Sequence, residues 1–189
     1  SMMRNPRPTR AEVSDVANAI LDGTDAIMLS GESANGDWPV ESVQTMAKIA
    51  VETERQLSYE TAVSRAKKHI PAISGVISRA ACNAANELQA ASIVCSTKSG
   101  ATARRISQCR PDCAIVAVTE TELVAKSLAF NFGVYPIVAE HKKVMDERLE
   151  RATELAIENG FATKGDTIVI AAGMGQVGST NLLKVSVIE

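Results

Sequence analysis

Apolar residues come in two rhythms along this chain, one helical and one of short solid runs. Thr9-Arg10-Ala11-Glu12 opens the first helical stretch as a capping box: the threonine accepts from the third helical N–H and the glutamate reaches back to the cap. Val13, Val16, Ala17, Ile20 and Leu21 follow on one face, and Gly23 ends the stretch. Residues 26–29, Ala-Ile-Met-Leu, read as a short strand buried on both faces. Beyond a polar loop at 30–37, Pro39 suits the first turn of another helix. That helix is expected to reach about residue 57, with Val40, Val43, Met46, Ala47 and Ala50 inward. One buried strand cannot form a sheet by itself, so this front part takes strand neighbours from elsewhere or is a piece of something larger.

Residues 58–69 are polar and basic, a linker or a short helix. Pro71 then opens a strongly periodic helix, with Ile73, Val76, Ile77, Ala80, Ala81, Ala84, Ala85 and Leu88 on one face. From there the alternation is regular. Strands are expected at 92–95, 114–118, 134–138 and 167–171, with helices at about 99–108, 122–131 and 142–159; Met145, Leu149, Ala152, Leu155 and Ala156 point inward on the last. Apolar strands alternating with helices predict a parallel sheet covered on both faces, a three-layer α/β/α sandwich. In the final stretch Leu183, Val185 and Val187 alternate with Lys184 and Ser186. The short loop before it leaves no room for a crossover helix, so a fifth strand is expected antiparallel at the edge.

Composition acts mostly by exclusion. In 189 residues, hydrophobic residues are 46% and charged residues 22%, ordinary for a soluble globular protein. A net charge of -2 gives no general attraction to nucleic acid or an anionic membrane. Aromatics at 3% leave no stacking platform for bases. No apolar run is long enough to span a bilayer, and no signal-peptide pattern is present. The cysteines Cys82, Cys95, Cys109 and Cys113 form no C-x-x-C pair and read as buried reduced thiols of a cytoplasmic protein. His69 and His141 lie in Lys-flanked polar stretches, and neither a Ser/His/Asp nor a zinc constellation can be assembled. No catalytic residue and no metal ligand is therefore named.

The candidate chemistry lies in two loops. Residues 92–95 run straight into Ser96-Thr97-Lys98-Ser99-Gly100-Ala101-Thr102, and a helix begins. A helix start offers unpaired N–H groups, and hydroxyls with a lysine add charge-assisted hydrogen bonds, so the loop is a seat for a phosphate. The alternative is a strand-to-helix turn capped by Ser/Thr with a solvated lysine. The second loop is Gly173-Met174-Gly175-Gln176-Val177-Gly178-Ser179-Thr180-Asn181. Its glycines let backbone N–H groups approach a ligand, but it lacks the spacing of a dinucleotide fingerprint. By itself it is a flexible hairpin loop or a binding loop. Both loops leave the C-terminal ends of expected parallel strands, where ligands of open α/β sheets gather. A ligand with one or two phosphates fits that placement.

The stretch Pro6-Arg7-Pro8-Thr9-Arg10-Ala11-Glu12-Val13-Ser14-Asp15-Val16-Ala17-Asn18-Ala19, followed by Ile27-Met28-Leu29-Ser30-Gly31-Glu32-Ser33-Ala34, closely resembles the end of the catalytic barrel of the pyruvate kinase family. Thr97-Lys98-Ser99-Gly100, Arg110-Pro111, Ala117-Val118-Thr119, Lys164-Gly165-Asp166 and Gly178-Ser179-Thr180-Asn181 resemble its C-terminal domain. The resemblance implies that residues 1–57 are the closing helix-strand-helix of a (β/α)8 barrel, 58–70 a linker, and 71–189 the C-terminal allosteric domain, a five-stranded mixed sheet with its last strand antiparallel. It implies phosphoryl transfer from phosphoenolpyruvate to ADP in the whole enzyme, with magnesium and potassium. The family's catalytic lysine, acidic metal ligands and monovalent-ion residues come from earlier barrel strands, and none of those motifs occurs here. No catalytic residue is carried over, and no cofactor is expected on this stretch. By the resemblance Ser30 and Glu32 sit at the end of the eighth strand, facing the barrel mouth, as marginal candidates only, and Asn35 stands where many members carry a lysine near the nucleotide.

What the resemblance does carry is regulation. Thr97, Lys98, Ser99, Gly100 and Thr102 match the loop that holds an effector phosphate, and Gly173, Gly175 and Gly178 match the loop that closes over it. Arg148 matches an arginine some members use for a second phosphate. The glycine loop lacks the arginine-proline pair of some fructose 1,6-bisphosphate users. The effector is then fructose 1,6-bisphosphate, a sugar monophosphate or AMP, and the other partners are the rest of the barrel and the subunits of a homotetramer. Two further readings stand beside this one: a stand-alone phosphosugar-binding module, and an assembly domain with no ligand.

Overall fold

A computed structural model describes residues 1–56, 72–140, 144–174 and 180–189. The linker expected at 58–70, the helix start at Pro71, both histidines, Gly175 and Gly178 lie outside the described residues. The chain divides into two compact units, Ser1–Ser58 and Tyr59–Glu189.

In the first unit, α1 (Arg10–Leu21) starts at the expected capping box: Thr9 Oγ1 accepts from Glu12 N at 3.3 Å and Thr9 N donates to the Glu12 carboxylate at 2.7 Å. A four-residue turn, α2 (Gly31–Ala34), precedes α3 (Pro39–Glu54), which opens with its proline in the first turn. Residues 26–29 are not the expected buried strand. They pair with no other strand, and Met28 is 88% exposed. The one sheet among the described residues lies wholly in the second unit. An extended segment without neighbours leaves its peptide groups to water. For the same reason Val40 and Val43 of α3, expected inward, are exposed: this unit offers no sheet to cover them.

The second unit is the expected α/β/α sandwich. Its elements are α4 (Ile73–Glu87), β1 (Ser92–Ser96), α5 (Ala101–Ser107), β2 (Ala114–Thr119), α6 (Glu122–Leu128), β3 (Val134–Val138), α7 (Met145–Glu158), β4 (Thr167–Ala172) and β5 (Leu182–Val187). The strand order is β3-β2-β1-β4-β5. β1 pairs in parallel with β2 and β4, β2 in parallel with β3, and β5 runs antiparallel to β4. The side chains of β1, β2 and β4 alternate between two cores. Ile93, Cys95, Ile115, Ala117, Val169 and Ala171 pack with α4 and α5, and with Leu128 of α6. Val94, Val116, Ile168 and Ile170 pack with Leu149, Ala152, Leu155 and Ala156 of α7. Both faces of the central strands are dry, which is why they read as solid apolar runs.

α4 is rotated from the expected face. It buries Ser78, Ala81, Cys82 and Ala85, while Ile73, Val76 and Leu88 are exposed. Small residues let the helix approach the sheet closely. Ser78 can be buried because its hydroxyl donates to the Ser74 carbonyl at 2.7 Å, within its own helix. No helix among the described residues is long and apolar enough to cross a membrane.

Candidate functional site

From β1 the chain moves outward to β2 and β3, then returns across the sheet to β4 on the other side of β1. The order therefore reverses between β1 and β4. Loops leaving the C-terminal ends of two such strands part from one another and open a crevice. Ser96 ends β1 opposite Ala172, which ends β4. Both candidate loops leave from this point.

The first loop is held at both of its ends. Thr97 is buried, and its N–H donates to the Val118 carbonyl at 2.9 Å, which ties the loop's start to β2. Lys98 and Ser99 are exposed. Gly100 is buried in the left-handed region at φ 81. A Cβ built there would lie 2.8 Å from Arg104 Nη1 and 3.0 Å from Leu128 Cδ2, so backbone angle and neighbours both demand glycine. Arg104 clamps the turn from within α5: Nη1 donates to the Ser99 carbonyl at 2.9 Å and Nη2 to Ser127 Oγ at 2.8 Å. No side chain caps α5, whose N-cap is Gly100. The loop's hydroxyls are thus not spent on capping, contrary to the capped-turn alternative.

A buried contact joins the two loops. Thr102 Oγ1 and Thr180 Oγ1 are 2.7 Å apart, one donating to the other. Beside Thr180, Asn181 fastens the neck of the second loop. Its N–H donates to the Ala172 carbonyl at 3.1 Å, its Oδ1 accepts from Met174 N at 2.7 Å, and its Nδ2 donates to the Met174 carbonyl at 3.1 Å. Gly173 stands half-buried at the exit of β4. Thr97, Lys98, Ser99, Gly100 and Thr102 therefore form one continuous edge, with Thr180 at its back.

Arg148 is placed elsewhere. It lies in the first turn of α7, on the opposite face of the sheet from α5. Its Nε is enclosed without a hydrogen bond, and no described hydrogen bond or ion pair joins it to either loop. In sequence, Thr180 and Asn181 stand out only as members of the second loop, and Arg104 and Thr119, which ends β2 with its hydroxyl buried and unpartnered, are not singled out as site groups. The Thr-Asn pair after the last glycine was the available signal for two of them; nothing local marked the other two.

Chemically, the edge offers an ammonium, hydroxyls and a glycine-opened backbone, a donor set for an oxyanion. In the first unit, Ser30 N donates to the Glu32 carboxylate at 3.2 Å, which makes that pair a local turn contact. Among the described residues no group of three or more His, Cys, Asp or Glu is arranged to hold a metal ion.

The family model for "Pyruvate kinase, alpha/beta domain" matches residues 75–186, more than half of the chain. The chain belongs to the pyruvate kinase family. The model for "Pyruvate kinase, barrel domain" matches residues 1–43. The pyruvate kinase of Clostridium acetobutylicum is 50% identical over 100% of this chain, which covers 41% of that protein. Those of Sporosarcina psychrophila and Geobacillus stearothermophilus are 47% and 48% identical over the whole chain, covering 33% of each. The chain thus spans between a third and two fifths of the length of these relatives. The family match agrees with the five-stranded mixed sheet and with the helical piece ahead of it.

Proposed function

We propose that this chain is the C-terminal part of a pyruvate kinase, a cytoplasmic enzyme moving a phosphoryl group from phosphoenolpyruvate to ADP. On this reading residues 1–57 close the catalytic barrel, 58–70 connect, and 71–189 form an allosteric domain. That domain binds a phosphorylated effector: fructose 1,6-bisphosphate, a sugar monophosphate or AMP. The observation that carries it is the pairing of the two loops at the strand-order reversal, joined through the Thr102–Thr180 hydroxyl contact. Lys98, with the hydroxyls of Thr97, Ser99 and Thr102, takes the phosphate, and the loop at Gly173, Gly175 and Gly178 covers it. In the whole enzyme magnesium and potassium neutralise the moving charge. No step of the transfer is assigned to the residues of this chain, and on this reading the 189 residues alone are inactive.

The test is calorimetry of the purified chain with fructose 1,6-bisphosphate, several sugar monophosphates and AMP. One of them binds, and Lys98→Ala weakens it by roughly 10- to 150-fold, the ~1.5–3 kcal/mol of a charged hydrogen bond. Unchanged affinity in Lys98→Ala refutes the phosphate assignment. Turnover of phosphoenolpyruvate and ADP by the isolated chain refutes the inactivity. A second reading, homotetramer assembly, is favoured by the apolar residues that α4 leaves uncovered, Ile73, Val76 and Leu88. It predicts self-association in light scattering that Ile73→Glu weakens; a monomer at all concentrations rejects it.

A further inference from the structure

α6 holds the turn of the first loop at two points without belonging to the loop. Arg104 of α5 is half-buried, and its guanidinium reaches in two directions: Nη1 donates to the Ser99 carbonyl at 2.9 Å, and Nη2 donates to Ser127 Oγ of α6 at 2.8 Å. The Ser127 hydroxyl is fixed as an acceptor there, because its own proton goes to the Val124 carbonyl at 2.8 Å. The second point is Leu128, fully buried, whose Cδ2 lies 3.0 Å from where a Gly100 Cβ would stand.

The Ser99 carbonyl belongs to the peptide whose N–H is that of Gly100. That peptide is trans. In a planar trans peptide the C=O and the following N–H point in opposite directions. Holding the carbonyl against Arg104 therefore turns the Gly100 N–H to the other side of the turn. The guanidinium also polarises the carbonyl, which strengthens the N–H at the far end of the same peptide as a donor. One side chain does both jobs only if its donors diverge from a rigid plane. A guanidinium is such a fork, and a lysine ammonium is a compact point charge.

Resting on the reading of this loop as a phosphate seat, we infer that Arg104 is its positioning residue and that the Ser127 hydroxyl, outside the seat, sets how tightly the seat takes a phosphate group. Regulation of the site then runs through α6. Whatever draws α6 off the turn frees the Ser99–Gly100 peptide to rotate and weakens the ligand. By linkage, a phosphate on the loop steadies α6 to the same extent.

The test titrates the full chain with inorganic phosphate and with fructose 1,6-bisphosphate, read from the amide NMR shifts of residues 97–102. Hydrogen exchange is followed with and without each of them. Ser127 is exposed, and alanine is the better helix former, so Ser127→Ala removes the hold without weakening α6 itself. Without ligand, exchange at 99–101 quickens in Ser127→Ala. Affinity falls roughly 2- to 10-fold, the loss of one hydrogen bond. Ser127→Thr, which keeps the hydroxyl, restores both. Arg104→Lys keeps the charge without the fork and weakens the ligand as well. Bound ligand slows exchange at 124–128 in the wild type and not in Ser127→Ala. Tighter binding in Ser127→Ala means that the freed guanidinium takes the anion itself, and overturns the inference. So does a Ser127→Ala chain that titrates like the wild type while Lys98→Ala is weakened, which leaves the phosphate reading standing. No shift at 97–102 in the wild type with either probe overturns the phosphate reading and this inference with it.

Discussion

The Thr102–Thr180 contact makes a sharp energetic prediction, because both hydroxyls are shut away from water. Thr180 is 1% exposed and Thr102 7%, with 2.7 Å between their oxygens. Thr180→Val deletes one hydroxyl and keeps the shape, which leaves the Thr102 hydroxyl without the partner it has here. An abandoned buried hydroxyl costs about 1–3 kcal/mol, and Thr102→Val incurs a similar loss from the other side. The double variant abandons nothing, since two methyl groups meet where two hydroxyls met. Its cost falls below the sum of the singles by about 1–3 kcal/mol, and that shortfall is the coupling a double-mutant cycle reads. Urea unfolding followed by far-UV circular dichroism measures the second unit, which holds the sheet. Trp38, the single tryptophan, lies in the first unit and reports it separately by fluorescence. Additive costs would refute the reasoning: the hydroxyls would then not depend on one another, and the two loops would not be joined where the geometry joins them.

Gly100→Ala imposes φ 81 on a residue with a Cβ and drives that atom to 3.0 Å from Leu128 Cδ2. The left-handed conformation alone costs ~1–2 kcal/mol, so the urea midpoint of the second unit falls; an unchanged midpoint shows that the loop relaxes at no cost. A pH effect is expected in α1. The N-terminal ammonium first, then the Ser1 hydroxyl and Thr9, hold the Glu12 carboxyl at about 2 instead of 4.5. The folded state then binds fewer protons than the unfolded state across that interval. The contribution of Glu12 is complete above about pH 4.5 and disappears as the pH falls toward about 2. Amide exchange at the start of α1 should speed up over that window, and Glu12→Gln should abolish the dependence. A Glu12 carboxyl that titrates near 4.5 by NMR contradicts the contact.

The sheet was legible because its strands are buried on both faces. A run such as Ile93-Val94-Cys95 suits a strand covered on both faces, and the alternation of Leu183, Val185 and Val187 marks the edge strand, although Val185 and Val187 stand exposed there. The same rule misled at residues 26–29. Their run is as apolar, but burial requires neighbours, and pattern alone does not say whether neighbours exist. The face of α4 differs from the expected one because the helix turns small residues to the sheet and leaves the larger Ile73, Val76 and Leu88 outside. What decides the rotation is the close approach of Cys82 and Ala85 to the sheet and the self-satisfied hydroxyl of Ser78. At the candidate site the first loop was visible as a cluster of Ser, Thr, Lys and Gly, all within seven residues. The second loop was visible as well, but the hydroxyl contact that joins the two was not, since Thr102 and Thr180 are 78 positions apart. Arg104 was read only as a helix residue; its role depends on Ser127, a residue of another element.

α5 ties these threads together mechanically. Seven residues are too few to hold a helix in water, so its order comes from what its buried residues and its two ends touch. Ala103 and Ile106 seat it in the core between α4 and the sheet. At its start Thr102 reaches Thr180 and Arg104 reaches back to Ser99. At its end the Ile106 carbonyl oxygen accepts from Cys109 N at 2.9 Å and lies 3.6 Å from Cys82 Sγ. A helix this short has no interior in which a displacement can die away, and a close-packed interior resists local distortion. Losing a hold at the loop end is therefore felt along the whole helix. The consequence is measurable without any ligand. Hydrogen exchange of amides 97–104 should quicken in Thr180→Val, because the loop end of the helix is no longer anchored. Unchanged exchange at 97–104 in that variant would show that the loop is held without the Thr102–Thr180 contact.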